Sequence, residues 1–196
     1  MSRQAAAVSV LGVLVPLAVF GALGWMVAMR DDAAWDFRLA RFLYETSLEH
    51  RPFQAAERFF LRWGDAKSFA AGVSGVLVFL LATKRLREAA FVVTAMTVVV
   101  LGPLLTEAFG RSLPFGGRGD SFPSGHALAS MAAVADVIVL LAPTRLRWPA
   151  VAVGALLVGC IGVSVVSDGG HWPTDVLAGW CVSVAWVSAV WLALRP

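Results

Sequence analysis

The sequence predicts an all-α polytopic membrane protein, one domain over residues 1–196, with six transmembrane helices and an amphipathic interfacial segment after the first. Three observations carry this reading. The chain is 59% hydrophobic and only 15% charged, whereas about a quarter of a soluble domain is charged. Its apolar residues gather in six runs, at about 5–29, 66–83, 89–110, 126–142, 148–167 and 174–194, each close to the roughly 20 residues that cross a bilayer. Residues 30–65 instead mix both charge signs with Trp, Phe and Leu.

The six runs must be helical, because lipid offers the backbone no hydrogen-bond partner. The first, AAAVSVLGVLVPLAVFGALGWMVAM, is longer than the roughly 7–15 apolar residues of a signal peptide and lacks a clear small-residue cleavage site, so it is expected to be retained. In the segment that follows, WDFRLARFLYETSLE spaces its apolar residues helically, as in helices lying on a membrane surface. Such a segment serves equally as a solvated cap or as a gate for substrate. His50 falls within it as an interfacial residue.

Basic residues set the orientation, since short Lys/Arg-rich loops stay in the cytoplasm. KRLRE follows the second run and TRLR the fourth, with Arg3 and Arg195 near the ends. Both termini are therefore expected inside. The segment 30–65 and the loops 111–125 and 168–173 then lie on the opposite, outer face, which is periplasmic or external in a bacterium. The net charge of +3 gives no reason to expect nucleic acid. Cys160 and Cys181 both lie in apolar runs and read as buried thiols, not a disulfide or a metal site.

The residues able to do chemistry collect at the outer loops. GRSLPFGGRGDSFPSGH joins the third and fourth runs, and SDGGHWPTDV opens the sixth. His126 and His171 thus sit at helix starts at one membrane level. His171 and Asp175 are four apart, so a carboxylate can hold one imidazole nitrogen and raise the basicity of the other, as an activated nucleophile requires. Ser124 can cap the fourth helix, while Gly125 lets an anion approach the exposed N–H groups there. Each motif alone also fits an ordinary capped helix start. Arg111 and Arg118 offer positive charge in the same loop, although Arg111 could pair with Glu107 and Arg118 could be solvated. Glu107 could also meet an amine in a lipid head group. Asp120 and Asp168 read as loop acids. Asp136, inside the fourth run, is expected to make an interhelical hydrogen bond.

These motifs resemble those of the type 2 phosphatidic acid phosphatase superfamily of membrane lipid phosphatases. That family has three signatures: Lys, six residues, Arg-Pro; Pro-Ser-Gly-His; and Ser-Arg, five residues, His, three residues, Asp. The chain carries Pro123-Ser124-Gly125-His126 in full, and His171, WPT, Asp175 from the third. The resemblance implies a six-span fold in which His171 attacks phosphorus, Asp175 orients it and His126 protonates the leaving oxygen. It also implies that Ser124 and Gly125 hold phosphate oxygens. The first signature aligns with TEAFGRSLP, so Thr106 and Leu113 stand where the family has Lys and Arg, and Val165 stands where it has the Arg of Ser-Arg. Arg111 and Arg118 are the local candidates to replace these cations.

The expected function is hydrolysis of a phosphorylated lipid, such as a polyprenyl phosphate or pyrophosphate, a phosphatidate or a relative, through a phosphohistidine. No cofactor and no metal are expected; the partners are the lipid substrate and the bilayer. GDSFPSGH and HWPTDV also look like motifs of sphingomyelin-synthase-type enzymes, which pass a head-group phosphate to a lipid hydroxyl. A phosphodiester carries less charge than a monoester and needs fewer cations. A third alternative is a catalytically degenerate member that binds lipid.

Overall fold

The computed structural model describes residues 3–29, 34–64 and 66–194. Arg195, one of the orientation markers, and residues 30–33 and 65 of the mixed segment lie outside them. The described chain is all-helical: α1 (Arg3–Ala28), α2 (Ala34–Glu49), α3 (Arg51–Trp63), α4 (Ala66–Ala82), α5 (Leu86–Met96), α6 (Val98–Phe109), α7 (Gly125–Leu141), α8 (Arg147–Ser167) and α9 (Pro173–Leu194).

The apolar runs become α1, α4, the α5–α6 pair, α7, α8 and α9, and the mixed segment becomes α2 and α3. Four stretches are long and apolar enough to cross a membrane: Val10–Ala28, Leu86–Phe109, Arg147–Ser167 and Pro173–Leu194; a bent α3–α4 pair would make a fifth. Two runs fall short by length. α4 and α7 have 17 residues each, about 25 Å at 1.5 Å per residue, against a hydrocarbon core of about 30 Å. Between α5 and α6 the ladder is interrupted at Thr97, where Val100 N–H reaches back only three residues, to the Thr97 carbonyl.

Lipid-facing polarity is inverted relative to a soluble bundle. Leu14, Val100, Val153 and Leu156 are among many exposed large apolar side chains. With hydrocarbon outside, burying Leu gains little, so helix contacts depend on close backbone approach and interhelical hydrogen bonds. α9 lies centrally and shows both. Ser183 Oγ donates to the Leu128 carbonyl of α7 at 2.6 Å, and Trp186 Nε1 donates to the Thr94 carbonyl of α5 at 3.3 Å. A Cβ on Gly179 would stand 2.7 Å from the Ser124 carbonyl oxygen and 3.0 Å from Leu128 N. Only glycine permits α9 to approach the start of α7 this closely.

One apolar cluster includes Leu80, Phe91, Val98, Leu128 and Val187, and a second Ala40, Ala127, Val165, Trp172 and Val176. The second cluster draws on α2, α7, α8 and α9, so α2 is packed into the protein and is not simply laid on it. Asp136 is buried in α7, but neither of its carboxylate oxygens has a hydrogen-bond partner among the described residues. The interhelical bond expected of it is therefore not made among the described residues.

The loops after α4 and α7 carry the basic residues, while those after α6 and α8 carry the histidine motifs. Helix direction places the two sets at opposite ends of the bundle. Gly179→Ala should destabilise the protein by about 1–3 kcal/mol, the usual cost of overpacking, read as a lower Tm in detergent; an unchanged Tm would contradict the close-approach account.

Candidate active site

The loop from Gly110 to Ser124 is folded back on itself. Gly110 ends α6 in the left-handed region, at φ 58°. Ser112 and Asp120 form an isolated antiparallel bridge, and Ser121 N–H donates to the Arg111 carbonyl at 2.7 Å. This pinning carries Ser121 to the start of α9. There His171 Nδ1 lies 2.9 Å from the Ser121 carbonyl oxygen. A carbonyl only accepts, so Nδ1 is the donor in this contact, and in the neutral tautomer this selects Nε2 holds the lone pair.

Asp175 is farther from that nitrogen than its spacing suggests, with Oδ2 3.7 Å from Nδ1. Oδ2 instead accepts from Trp172 N–H at 2.8 Å, closing the first turn of α9. The Asp175 backbone carbonyl accepts from Ser124 N–H at 3.0 Å. That bond ties the starts of α7 and α9 together, and with them His126 and His171.

Ser124 is fully buried, and its hydroxyl accepts from Ala127 N–H at 3.4 Å as the N-cap of α7. The structure thus occupies Ser124 with the cap. Gly125 is exposed, and a Cβ there would meet nothing within 4 Å, so the α7 N-terminus faces open space.

His126 and His171 line one cavity of about 290 Å³ together with Leu61, Arg118, Asp120 and Asp168. Leu113 and Val165, which stand at two of the positions where the resemblance implies arginine, line it as well. Thr106, at the position where the resemblance implies lysine, donates from its hydroxyl to the Gly102 carbonyl at 2.9 Å. The α3 end closes over this cavity, since a Cβ on Gly64 would lie 3.1 Å from His126 Cδ2.

The two arginines part company. Arg118 lines the cavity, whereas Arg111 is not among its lining residues. Arg111 is buried, with Nη1 donating to Asp175 Oδ1 at 2.6 Å and to Thr174 Oγ1 at 2.6 Å, and Nη2 to Asp36 Oδ2 at 2.8 Å. Its guanidinium also lies 4.8 Å from the centre of the Trp172 ring. Both terminal nitrogens are committed to protein groups, so Arg111 is placed to hold Asp175. The acids that hold it come from other elements, which no local spacing signals.

Sequence reasoning passed over three contributors. Ser121 acts through a carbonyl, and a carbonyl leaves no trace in a residue's identity. Asp36 looks like any acid of an amphipathic helix. Asp168 reads as a turn acid, yet it lines the cavity. Burial raises its pKa above the ordinary 3.8, and the Glu57 charge raises it further, against lowering by His126 and His171. Glu57 is itself buried in α3, accepting from Ser47 Oγ at 2.6 Å.

A raised carboxyl pKa means that the folded state holds a proton the unfolded chain has lost. Stability from Asp168 is fully present below pH 3.8 and falls as pH rises through the folded-state value. Asp168→Asn should therefore flatten the decline of Tm with pH above 4 relative to the unaltered chain; parallel Tm–pH curves would contradict the placement of Asp168.

Residues 101–195 match the PAP2 superfamily, a stretch that holds the α6–α7 loop and both histidines. An undecaprenyl-diphosphatase of Sulfolobus acidocaldarius is 40% identical over 68 residues, which span 35% of this chain and 30% of that protein. Two solved structures share the fold. The PAP2-type phosphatidylglycerolphosphate phosphatase of Bacillus subtilis superposes with a TM-score of 0.75 at 16% identity, covering 89% of this chain and 93% of that one. Aquifex aeolicus LpxE superposes with a TM-score of 0.64 at 20% identity, covering 81% and 96%. Pro123–His126 and His171 to Asp175 thus lie within a stretch of just under half the chain that is similar to the PAP2 superfamily, and the two solved structures share the fold of an all-helical membrane protein.

Proposed function

We propose that this protein is an integral membrane lipid phosphatase that hydrolyses a phosphorylated lipid through a phosphohistidine on His171. The observation that carries the proposal is the shared cavity of His126 and His171, with His171 Nδ1 engaged by the Ser121 carbonyl. Nε2 is then the nitrogen with a lone pair to give. It attacks phosphorus, forming a P–N bond as the P–O bond to the lipid breaks. His126 delivers a proton to the departing oxygen. Water then cleaves the P–N bond, with His126 accepting its proton, and inorganic phosphate leaves. This cycle uses no metal and no cofactor.

Positioning and electrostatics supply most of the catalysis in phosphoryl transfer. Here the α7 N-terminus at Gly125 and the Arg118 guanidinium receive phosphate oxygens. Arg111 acts through Asp175, and Ser124 acts by capping α7. The lipid chain fits the apolar groove of about 380 Å³ between α3 and α8, lined by Phe53, Phe60, Leu156 and Val163. This groove adjoins the histidine cavity, because Phe60 and Ser164 line one and their neighbours Leu61 and Val165 the other. We place all six apolar runs across the bilayer, with the basic loops at Lys84–Arg87 and Arg145–Arg147 inside. The site then opens on the outer face of a bacterial cytoplasmic membrane.

One observation favours a second reading. Arg118 is the one Lys or Arg among the described residues lining the cavity, where it faces Asp120 and Asp168. A phosphomonoester carries nearly two negative charges and a phosphodiester one. Transfer of a diester head group to a lipid hydroxyl suits this charge balance better than it suits most monoester phosphatases. It would use the same two histidines, with the hydroxyl replacing water.

The test is incubation of the purified full-length protein with phosphatidate, prenyl phosphates and common phosphodiester lipids, assaying free phosphate and new lipids. Phosphate release should be abolished by His171→Ala and lowered about 10²-fold or more by His126→Ala, the range of general acid catalysis. Arg118→Ala should raise KM. Head-group movement without free phosphate would overturn hydrolysis in favour of transfer. Turnover unaffected by His171→Ala would overturn both.

A further inference from the structure

Asp36 is fully buried although it comes from α2, a helix otherwise mixed in polarity and 138 residues before its partner Thr174. Both of its oxygens are satisfied at the start of α9. Thr174 N–H donates to Oδ1 at 3.0 Å, Thr174 Oγ1 to Oδ2 at 2.7 Å, and Arg111 Nη2 to Oδ2 at 2.8 Å. Asp36 is not among the residues lining the histidine cavity, so it acts through others.

The charge count gives it a role. Among the described residues two carboxylates, Asp36 and Asp175, share one guanidinium, Arg111, and these three groups together carry one net negative charge. With Arg111 paired to Asp175 alone, the ion pair would be neutral and the field of Asp175 at His171 largely cancelled. With Asp36 taking half of the guanidinium, Asp175 keeps negative charge 3.7 Å from His171 Nδ1, in a buried setting where such a field is weakly screened. Asp36 also fixes the Thr174 backbone, and so the first turn of α9 on which His171 and Asp175 depend.

We propose that Asp36 is a positioning residue of the phosphoryl-transfer site: through Arg111 and Thr174 it holds the Asp175 carboxylate in place beside His171, which makes the interfacial helix α2 part of the reaction machinery. The proposal rests on the reading of His171 as nucleophile. It differs from a packing role in a measurable way. Asn is isosteric with Asp but uncharged, whereas Glu keeps the charge and is bulkier.

The experiment uses the full-length protein in detergent, with kcat and KM on whichever phosphorylated lipid the unaltered chain turns over. It adds ¹⁵N NMR of the His171 ring, assigned by loss of its signals in H171Q. Asp36→Asn should lower kcat about tenfold or more with KM within about twofold, and Asp36→Glu should retain more kcat than Asp36→Asn. The His171 Nδ1 proton should exchange faster in Asp36→Asn. If Asp36→Asn does not fold, Thr174→Val breaks the same link more mildly and should lower kcat in the same direction. An Asn variant as active as the Glu variant or more so, or unchanged kcat, would overturn the proposal. If the unaltered chain turns over no lipid, the phosphatase reading fails separately, and the NMR comparison alone decides: an unchanged His171 ring in Asp36→Asn would sink the role of Asp36.

Discussion

The site depends on one buried carboxylate. Asp175 is inaccessible to solvent, and an unpaired charge in such a place would cost several kcal/mol. Every available contact is used to avoid that. Arg111 takes one oxygen, and the Trp172 N–H takes the other. Because Arg111 comes from the α6–α7 loop and its second acid from α2, meeting the needs of this carboxylate locks three separated segments at one end of the bundle. The loop so fixed brings the Ser121 carbonyl to His171. The helix start so fixed bonds to Ser124, the cap of the helix that carries His126. Both histidines are thus placed by long-range contacts as well as by their own neighbours in sequence.

The same arrangement shapes the charge of the cavity. An arginine that might have faced a phosphate is turned to internal use, and Leu113 and Val165 line the space in place of cations. In the proposed reaction phosphate recognition falls to Arg118 and to backbone N–H groups at the open start of α7. In the proposed reaction this favours substrates of modest charge, or a phosphate whose neighbouring groups are drawn to Asp120 and Asp168. Two acids in a phosphate site would ordinarily be a liability. Burial works against the negative charge of Asp168, whose pKa it raises, and so eases that liability.

What could be read from the sequence follows physical range. Helical runs were legible because lipid forces each one to satisfy its own backbone, and their placement along the chain agrees with α1 and α4 to α9. Their number as spans is not fixed by the same pattern, since α4 and α7 are short. PSGH and the His171–Asp175 spacing are local and led to the resemblance that the match over residues 101–195 supports. The partners of Arg111 are long-range, and nothing at Asp36 distinguishes it from the other charges of its helix. The choice between Asp175 and Ser121 as the near partner of His171 Nδ1 turned on a backbone carbonyl, which sequence cannot display. Asp136 was misjudged for the opposite reason: a polar residue in a span invites a partner, and none of the described residues supplies one.

The central claim is that His171 Nε2 bonds to phosphorus. The direct measurement is a rapid alkaline quench of the protein during turnover of a phosphorylated lipid, followed by mass spectrometry of the peptide containing His171. The account predicts an acid-labile, base-stable phosphoryl group on His171, absent in H171Q. Active turnover with the phosphoryl group on another residue, or with none on His171, would contradict it.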